Sequence, residues 1–377
     1  MGSGSRNRFY LMEEIVNVAE AKGVARGWVA DNAAGWPGFR AAHLVGGITA
    51  MDDDAFFPAT KDIDMHLIFE DDSAMVQQRG PIPNILEAQV DGLAIEAGLK
   101  PVSEYASPAA ILGNPELAFH FTVESSLYDP DGWLSGLSRE VIPNYADREW
   151  VDARMQHELL GQQRAFGLRP LAQELLGPSG ELSMLGYSST FLAGAFSVAA
   201  LRSPKMGGRV FVTIQEYLEE LDRLDLHERL LAIFGLDRMS LPEAQELLEE
   251  TGRFFDLALL RKQRPHPFDH KLHAHLRPYL VDSCQRMIDE GFHREAAAWM
   301  MPFHLAATDI LAIDGTEMEQ GWAAQRQARF LEERRFGTSE MRDVRFAEMV
   351  RFSDEVFALC WTMIERNPAI RQLELVG

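Results

Sequence analysis

Asp62 and Asp64 stand one residue apart inside the run Asp62-Ile63-Asp64-Met65-His66-Leu67-Ile68-Phe69. That pattern predicts a strand with two carboxylates at its start. Side chains at i and i+2 of a strand point to the same face, so the two acids project together while Ile63 and Met65 face the opposite side. Burying charge without a partner is costly. Two adjacent carboxylates also repel, which would keep one of them protonated. A divalent cation removes both penalties. Mg²⁺ suits such a site because it prefers hard oxygen ligands and keeps coordination places for phosphate and water.

A second feature lies just upstream. The apolar run Phe39 to Val45 closes on Gly46-Gly47, with fourteen residues between Gly47 and Asp62. Glycine lets a backbone come close to a ligand and aim its N–H groups at phosphate oxygens. Thr49 can add a hydroxyl and Lys61 a positive charge. A glycine pair and an Asp-x-Asp pair on consecutive strands are far more specific together than either is alone.

The combination Val45-Gly46-Gly47, loop, Asp62-Ile63-Asp64-Met65 resembles the signature of the polymerase-β-like nucleotidyltransferase superfamily. The loop is slightly longer here than is usual in that family. Gly47 stands where the family usually has Ser, which leaves phosphate gripping by a hydroxyl to Thr49. The likeness extends through Gly92-Leu93-Ala94-Ile95-Glu96, Val102-Ser103-Glu104-Tyr105, Ser107 to Pro115 and Leu127 to Gly132, which are similar to bacterial relatives of the aminoglycoside-modifying enzymes. Pro204 to Arg209 loosely resembles a basic turn of such proteins. The resemblance implies Mg²⁺ held by Asp62, Asp64 and Glu96, with an NTP, ATP being expected, as co-substrate. Gly46, Gly47, Thr49 and Lys61 would contact the triphosphate. Glu96 is either a third ligand or the general base that takes the acceptor's proton. The implied acceptor is a hydroxyl, and antibiotic inactivation is one setting for that chemistry.

The elements that must position these residues divide the chain in two. Residues 8–22 read as an amphipathic helix, with residues 24–35 a candidate continuation after Gly23, and Trp36-Pro37-Gly38 is a breaker. Strands follow at Phe39 to Val45 and Asp62 to Phe69. Residues 84–96 alternate, which predicts a hairpin about Asp91-Gly92. Short helical stretches are expected at 107–120 and 133–145, with a strand end at Leu127. From about residue 147 strand signals nearly vanish, and 3.6-period segments run over 149–176, 183–201, 213–234, 241–261, 272–290, 292–312, 316–334 and 340–366. The expected fold class is α+β. A catalytic domain at 1–146, with a mixed sheet flanked by helices, precedes an all-helical acceptor-binding domain at 147–377.

Composition narrows the partners. The 377 residues include 57 acidic and 36 basic ones, a net charge of −21. Such a surface repels phosphate backbones and attracts cations, so nucleic acid is not the expected partner and a cationic small acceptor is. Cys284 and Cys360 lack metal-ligand spacing and read as reduced core residues of a cytoplasmic protein. The N-terminus lacks the apolar core of a signal peptide, and no uninterrupted apolar stretch approaches a membrane span. An oligomer is compatible with all of this.

Other chemistry-bearing residues receive plainer readings. The run Pro265 to His275, with His266, His270, His273 and His275, lacks ordered zinc spacing and reads as structural or surface. Arg261-Lys262-Gln263-Arg264 reads as a helix C-terminus. Trp299 to His304 reads as core. Glu149, Asp152 and Glu158 open the helical part, where one of them can serve as a base or bind a cation. Two alternatives stay beside the small-molecule reading: a toxin-like nucleotidyltransferase acting on RNA or protein, and a catalytically silent relative.

Overall fold

The computed structural model describes residues 16–58, 61–77, 85–204, 207–266 and 271–372. The expected helix over 8–22 lies partly outside them. What is described begins at Asn17, whose side chain accepts from the Glu20 amide while the Glu20 carboxylate returns the bond, a capping box that starts α1 (Val18–Trp28). The helix passes through Gly23 and ends in a π-helical turn (Val29–Ala33) before Trp36-Pro37-Gly38.

Five strands then form one mixed sheet: β1 (Phe39–Leu44), β2 (Asp62–Phe69), β3 (Ile85–Val90), β4 (Leu93–Pro101) and β5 (Ser126–Tyr128), in the order β3-β4-β2-β1-β5. Only β2 and β4 run parallel. The β3–β4 hairpin turns at Asp91 and Gly92, both at positive φ, as its two-residue turn requires. Beyond β2 lies the short α2 (Asp72–Gln77); α3 (Pro108–Leu112) and α4 (Trp133–Asn144) follow β4 and β5.

The two faces of the sheet are covered differently. Ile63, Met65, Leu67 and Phe69 of β2 join Ile95, Ala97 and Leu99 of β4 and the apolar side of α1 in one buried cluster. On the other face, Ile68 packs with Tyr105, Ile111, Leu112 and residues of α4. Period-two alternation therefore puts Asp62, Asp64 and His66 on the same face as Ile68, opposite the face that α1 covers.

Among the described residues no strand follows Tyr128. The rest is helical: α5 (Arg148–Gly167), α6 (Arg169–Ala200), α7 (Val210–Glu220), α8 (Leu224–Ile233), α9 (Leu241–Arg261), α10 (Arg277–Asp289), α11 (His293–Asp314), α12 (Glu317–Glu333) and α13 (Ser339–Arg366). The chain is thus α+β. The segment expected at 213–234 is two helices, because Asp222 takes φ +56 and breaks the run. The segment expected at 149–176 ends at Gly167, and Gly177, at φ +58 and ψ −143, kinks the next helix. Every buried member of the largest apolar cluster comes from residue 151 onward, and the sheet's two clusters end at Val141.

Two helices, Arg169–Ala200 and His293–Asp314, are long and apolar enough to cross a membrane by length and composition, with 67% and 72% of their most apolar windows buried within the fold. Neither is an uninterrupted apolar stretch: polar residues break both, as the sequence reading has it. Both cysteines are free and buried, and burial pushes their thiols up.

One side chain ties the helices to the sheet. Arg154 of α5 is 1% exposed. Its guanidinium donates to the Leu112 carbonyl at 2.8 Å and the Tyr145 carbonyl at 2.7 Å, and lies 4.4 Å from the Tyr145 ring centre. Arg154→Met leaves both carbonyls without that donor. It should cost about 3 kcal/mol, read as a lower urea midpoint at unchanged m; a loss below about 1 kcal/mol would show the strap to be idle.

Candidate active site

The register of the sheet assembles the acids. Asp64 of β2 lies directly opposite Glu96 of β4, and Glu96 lies opposite Glu87 of β3. Opposed residues share a face, so Asp62, Asp64, Glu96 and Glu87 form one acidic patch across three strands. Neither Asp62 nor Asp64 makes an ion pair or side-chain hydrogen bond to another described residue. Burial raises the Asp62 carboxyl above its usual range, with Lys271 opposing and Glu96 adding. Asp64 is held well above that range by burial first, then by Asp62 and Glu96.

Gly46 shapes the floor. It sits at φ +66, and a Cβ there would fall 2.2 Å from Asp64 Oδ2. Only glycine tolerates both the left-handed backbone and that approach. The amide of Val45 donates to the Asp64 carbonyl at 3.0 Å, which locks the turn to the strand. Lys61 lies near Gly47, and its charge lowers the carboxyls of Asp62 and Asp64.

Thr49 does not face this patch. Its hydroxyl donates to the Gly46 carbonyl at 2.8 Å and, having one proton, accepts from His120 Nδ1 at 3.0 Å. The residue is 6% exposed. In this structure the hydroxyl expected to grip phosphate is engaged with the glycine turn and with His120.

A histidine network also lies behind the acids. His43 Nδ1 is 3.0 Å from the Leu44 carbonyl, which can only accept, so that nitrogen carries the proton. His43 Nε2 must then accept from the Tyr105 hydroxyl at 3.0 Å. Tyr105 has no second proton, so His66 Nδ1, 2.7 Å away, donates to it. His66 Nε2 is left as the acceptor, two residues beyond Asp64 on the same face. Burial holds His43 down at about 4, His120 down at about 3 and His66 well below its usual range, so all three are neutral at pH 7. An open cleft of about 500 Å³ is lined by Asp64, His66, Glu96, Gly98 and Lys100.

The helical part supplies what sequence reading missed. Lys271 pairs closely with the Glu96 carboxylate. Burial works against its charge, but Glu96, then Asp62 and Asp64, raise its pKa overall. His273 Nε2 lies 3.4 Å from Glu87. Tyr279 of α10, whose ring centre lies 5.8 Å from Lys271 Nζ, is pushed well above its usual range by burial, then by Asp62, Asp64 and Glu96. Lys271 and His273 belong to the run that read as structural or surface. The signal was its basic character between breakers; nothing local says which acids it meets. His270 and part of the Pro204–Arg209 turn lie outside the described residues.

The other acids named from sequence stand elsewhere. Glu149 is exposed, and Asp152 pairs with Arg148 at 2.6 Å. Glu158 is 4% exposed, and its carboxyl, lifted by burial to about 8, lies flat on Gly194 of α6. Gln263 and Arg264 donate backbone amides to Asp314, as the helix-end reading expects. A second cavity of about 310 Å³ lies in the helical part; its Arg326 and Arg329 are paired with Glu250 and Glu333.

Asp62, Asp64 and Glu96 supply hard oxygen donors on one face, and Gly46 leaves the space beside Asp64 that a side chain would fill. That set suits Mg²⁺ chemically. Among the described residues no three acidic, histidine or cysteine side chains are already grouped as a metal cage; the Lys271 ammonium holds the carboxylate of Glu96.

No family model matches this chain, and no curated protein does. Among solved structures it is similar to a nucleotidyltransferase-like protein from Exiguobacterium sibiricum, with 14% identity over 72% of this chain and 92% of that one. The TM-score is 0.29, too low to carry weight beside the chain's own geometry.

Gly46→Ala should cost at least about 1–2 kcal/mol from the left-handed backbone alone and displace the Asp64 carboxylate; an unchanged urea midpoint would contradict the close approach. Glu87 gives a pH test. Burial, then Glu96 and Asp62 against the opposition of Lys271, lifts its carboxyl from 4.5 to about 7. A raised acid binds its proton more tightly when folded, so its stabilising share is present below pH 4.5 and is lost as pH rises toward 7. Glu87→Gln should shrink the fall in stability between pH 4.5 and 7 without abolishing it, since Asp62 and Asp64 carry the same sign. Denaturant midpoints across that range that keep the wild-type slope would contradict the assignment.

Proposed function

We propose that this protein is a Mg²⁺-dependent nucleotidyltransferase that moves an NMP from an NTP, with ATP the expected donor, to a hydroxyl of a small cationic acceptor of aminoglycoside type. The observation that carries the reading is the pair Asp62 and Asp64. They share one strand face, make no ion pair or side-chain hydrogen bond to another described residue, and have Glu96 in register beside Asp64, while a Cβ at Gly46 would fall 2.2 Å from Asp64 Oδ2.

The residues divide the work as follows. Asp62 and Asp64 would hold the divalent ion, and Glu96 would be either a third ligand or the base. The ion, when bound, neutralises the triphosphate and stabilises charge on the attacking and leaving oxygens. Gly46 and Gly47 let the backbone approach phosphate, and Lys61 adds positive charge from the edge of the turn. The acceptor's oxygen forms a bond to the α-phosphorus, the bond to the β-phosphate breaks, pyrophosphate leaves, and the hydroxyl proton passes to the base. In this reading residues 1–146 are the catalytic unit, and residues 147–377 form the opposite wall and select the acceptor. His273, 3.4 Å from Glu87, and Tyr279, beside Lys271, support this reading. The net charge of −21 favours a cationic acceptor over RNA.

A catalytically silent relative is the second reading, and Lys271 is the observation in its favour. An ammonium in permanent residence would neutralise the acids with no metal ion at all.

NTP-dependent pyrophosphate release against an aminoglycoside panel tests the proposal. Asp64→Ala should lower the rate by at least about a hundredfold while circular dichroism and the melting temperature stay close to wild type. An active Asp64→Ala protein would sink the site assignment.

A further inference from the structure

Lys271 acts more strongly on the Asp62 and Asp64 carboxyls than Lys61 does. It comes from the helical part, 175 residues after Glu96, and its ammonium pairs directly with the Glu96 carboxylate. Its side chain is 16% exposed and that of Glu96 22%. Asp62 and Asp64 also raise its pKa, so the charge is felt across the whole patch. The Tyr279 ring centre lies 5.8 Å from Nζ, a cation–π contact that keeps the ammonium over the acids.

A cation there and a divalent ion at Asp62 and Asp64 compete for the same negative charge. In a partly buried site two such cations repel strongly. Glu96 also cannot turn to an ion while Lys271 holds it. A triphosphate resolves the conflict, because its oxygens offer the ammonium a new partner.

We propose that Lys271 is a built-in counter-cation for the acidic patch: it holds the site closed to divalent metal until a nucleoside triphosphate draws the ammonium away from Glu96. Metal and nucleotide then enter together. This rests on the nucleotidyltransferase reading, but it makes a claim of its own about order of binding. A purely structural lysine would not couple metal affinity to nucleotide in this way.

The test is equilibrium Mn²⁺ binding, by electron paramagnetic resonance or calorimetry, to the full chain with and without a nonhydrolysable NTP analogue. Wild type should bind Mn²⁺ weakly alone and at least tenfold more tightly with the analogue. Lys271→Met should bind Mn²⁺ alone at least tenfold more tightly than wild type, and the Mn²⁺–analogue complex less tightly. The opposite signs are the signature. Lys271→Gln serves if the Met variant melts early, and Lys271→Arg should stay close to wild type. If Lys271→Met leaves the nucleotide-free affinity unchanged while Asp64→Asn abolishes Mn²⁺ binding, the counter-cation inference falls and the nucleotidyltransferase reading stands. If wild type takes no Mn²⁺ even with the analogue, both fall.

Discussion

Two carboxylates on one face of β2, neither in an ion pair or side-chain hydrogen bond with another described residue, set the terms for what surrounds them. Burial lifts both above the usual carboxylate range, with Glu96 adding to each and Asp62 adding to Asp64. A fold accepts such a cost where something else balances it. Here the balance comes from three directions: the glycine turn that makes room beside Asp64, the lysine that reaches over from the helical part, and the polar network beneath.

The floor of the site is rigid for identifiable reasons. Thr49 and His120 hold the Gly46 turn from below, and the Val45 amide pins it to β2. His43, Tyr105 and His66 form a chain in which each proton has one place to go, so the orientation of every ring is fixed by the Leu44 carbonyl at its end. Neutral imidazoles suit the interior behind an acidic patch. They add no charge of their own, and their second nitrogens still orient neighbours. The face grades from charged at Asp62 to apolar at Ile68, where α3 and α4 close over it.

The roof is built from far away in sequence. Lys271, His273 and Tyr279 meet Glu96, Glu87 and the aspartates from the start of α10 and the segment before it. Arg154 and the pairing of Arg371 with Asp147 fasten the same helical part near the end of α4. A cleft with a floor from one part and a roof from another is a common place for ligands. It also lets the state of one part depend on what the other holds.

The sequence by itself determined the strand of β2 to its ends, the hairpin at Asp91-Gly92, the α+β class, most helix limits, and the pairing of Asp62 with Asp64. These follow from periods of two and 3.6 and from turn residues, all of them local properties of the chain. It also marked Gly46, though not that Asp64 is what makes the glycine necessary. The tertiary structure decided the rest. Glu87 joined the acids because β3 pairs with β4 in one register. Thr49 turned inward because His120, 71 residues away, was there to meet it. Lys271 became the partner of Glu96 because the helices fold back over the sheet. Such long-range contacts leave no periodic trace, since only the packed chain fixes which side chains share a low-dielectric space.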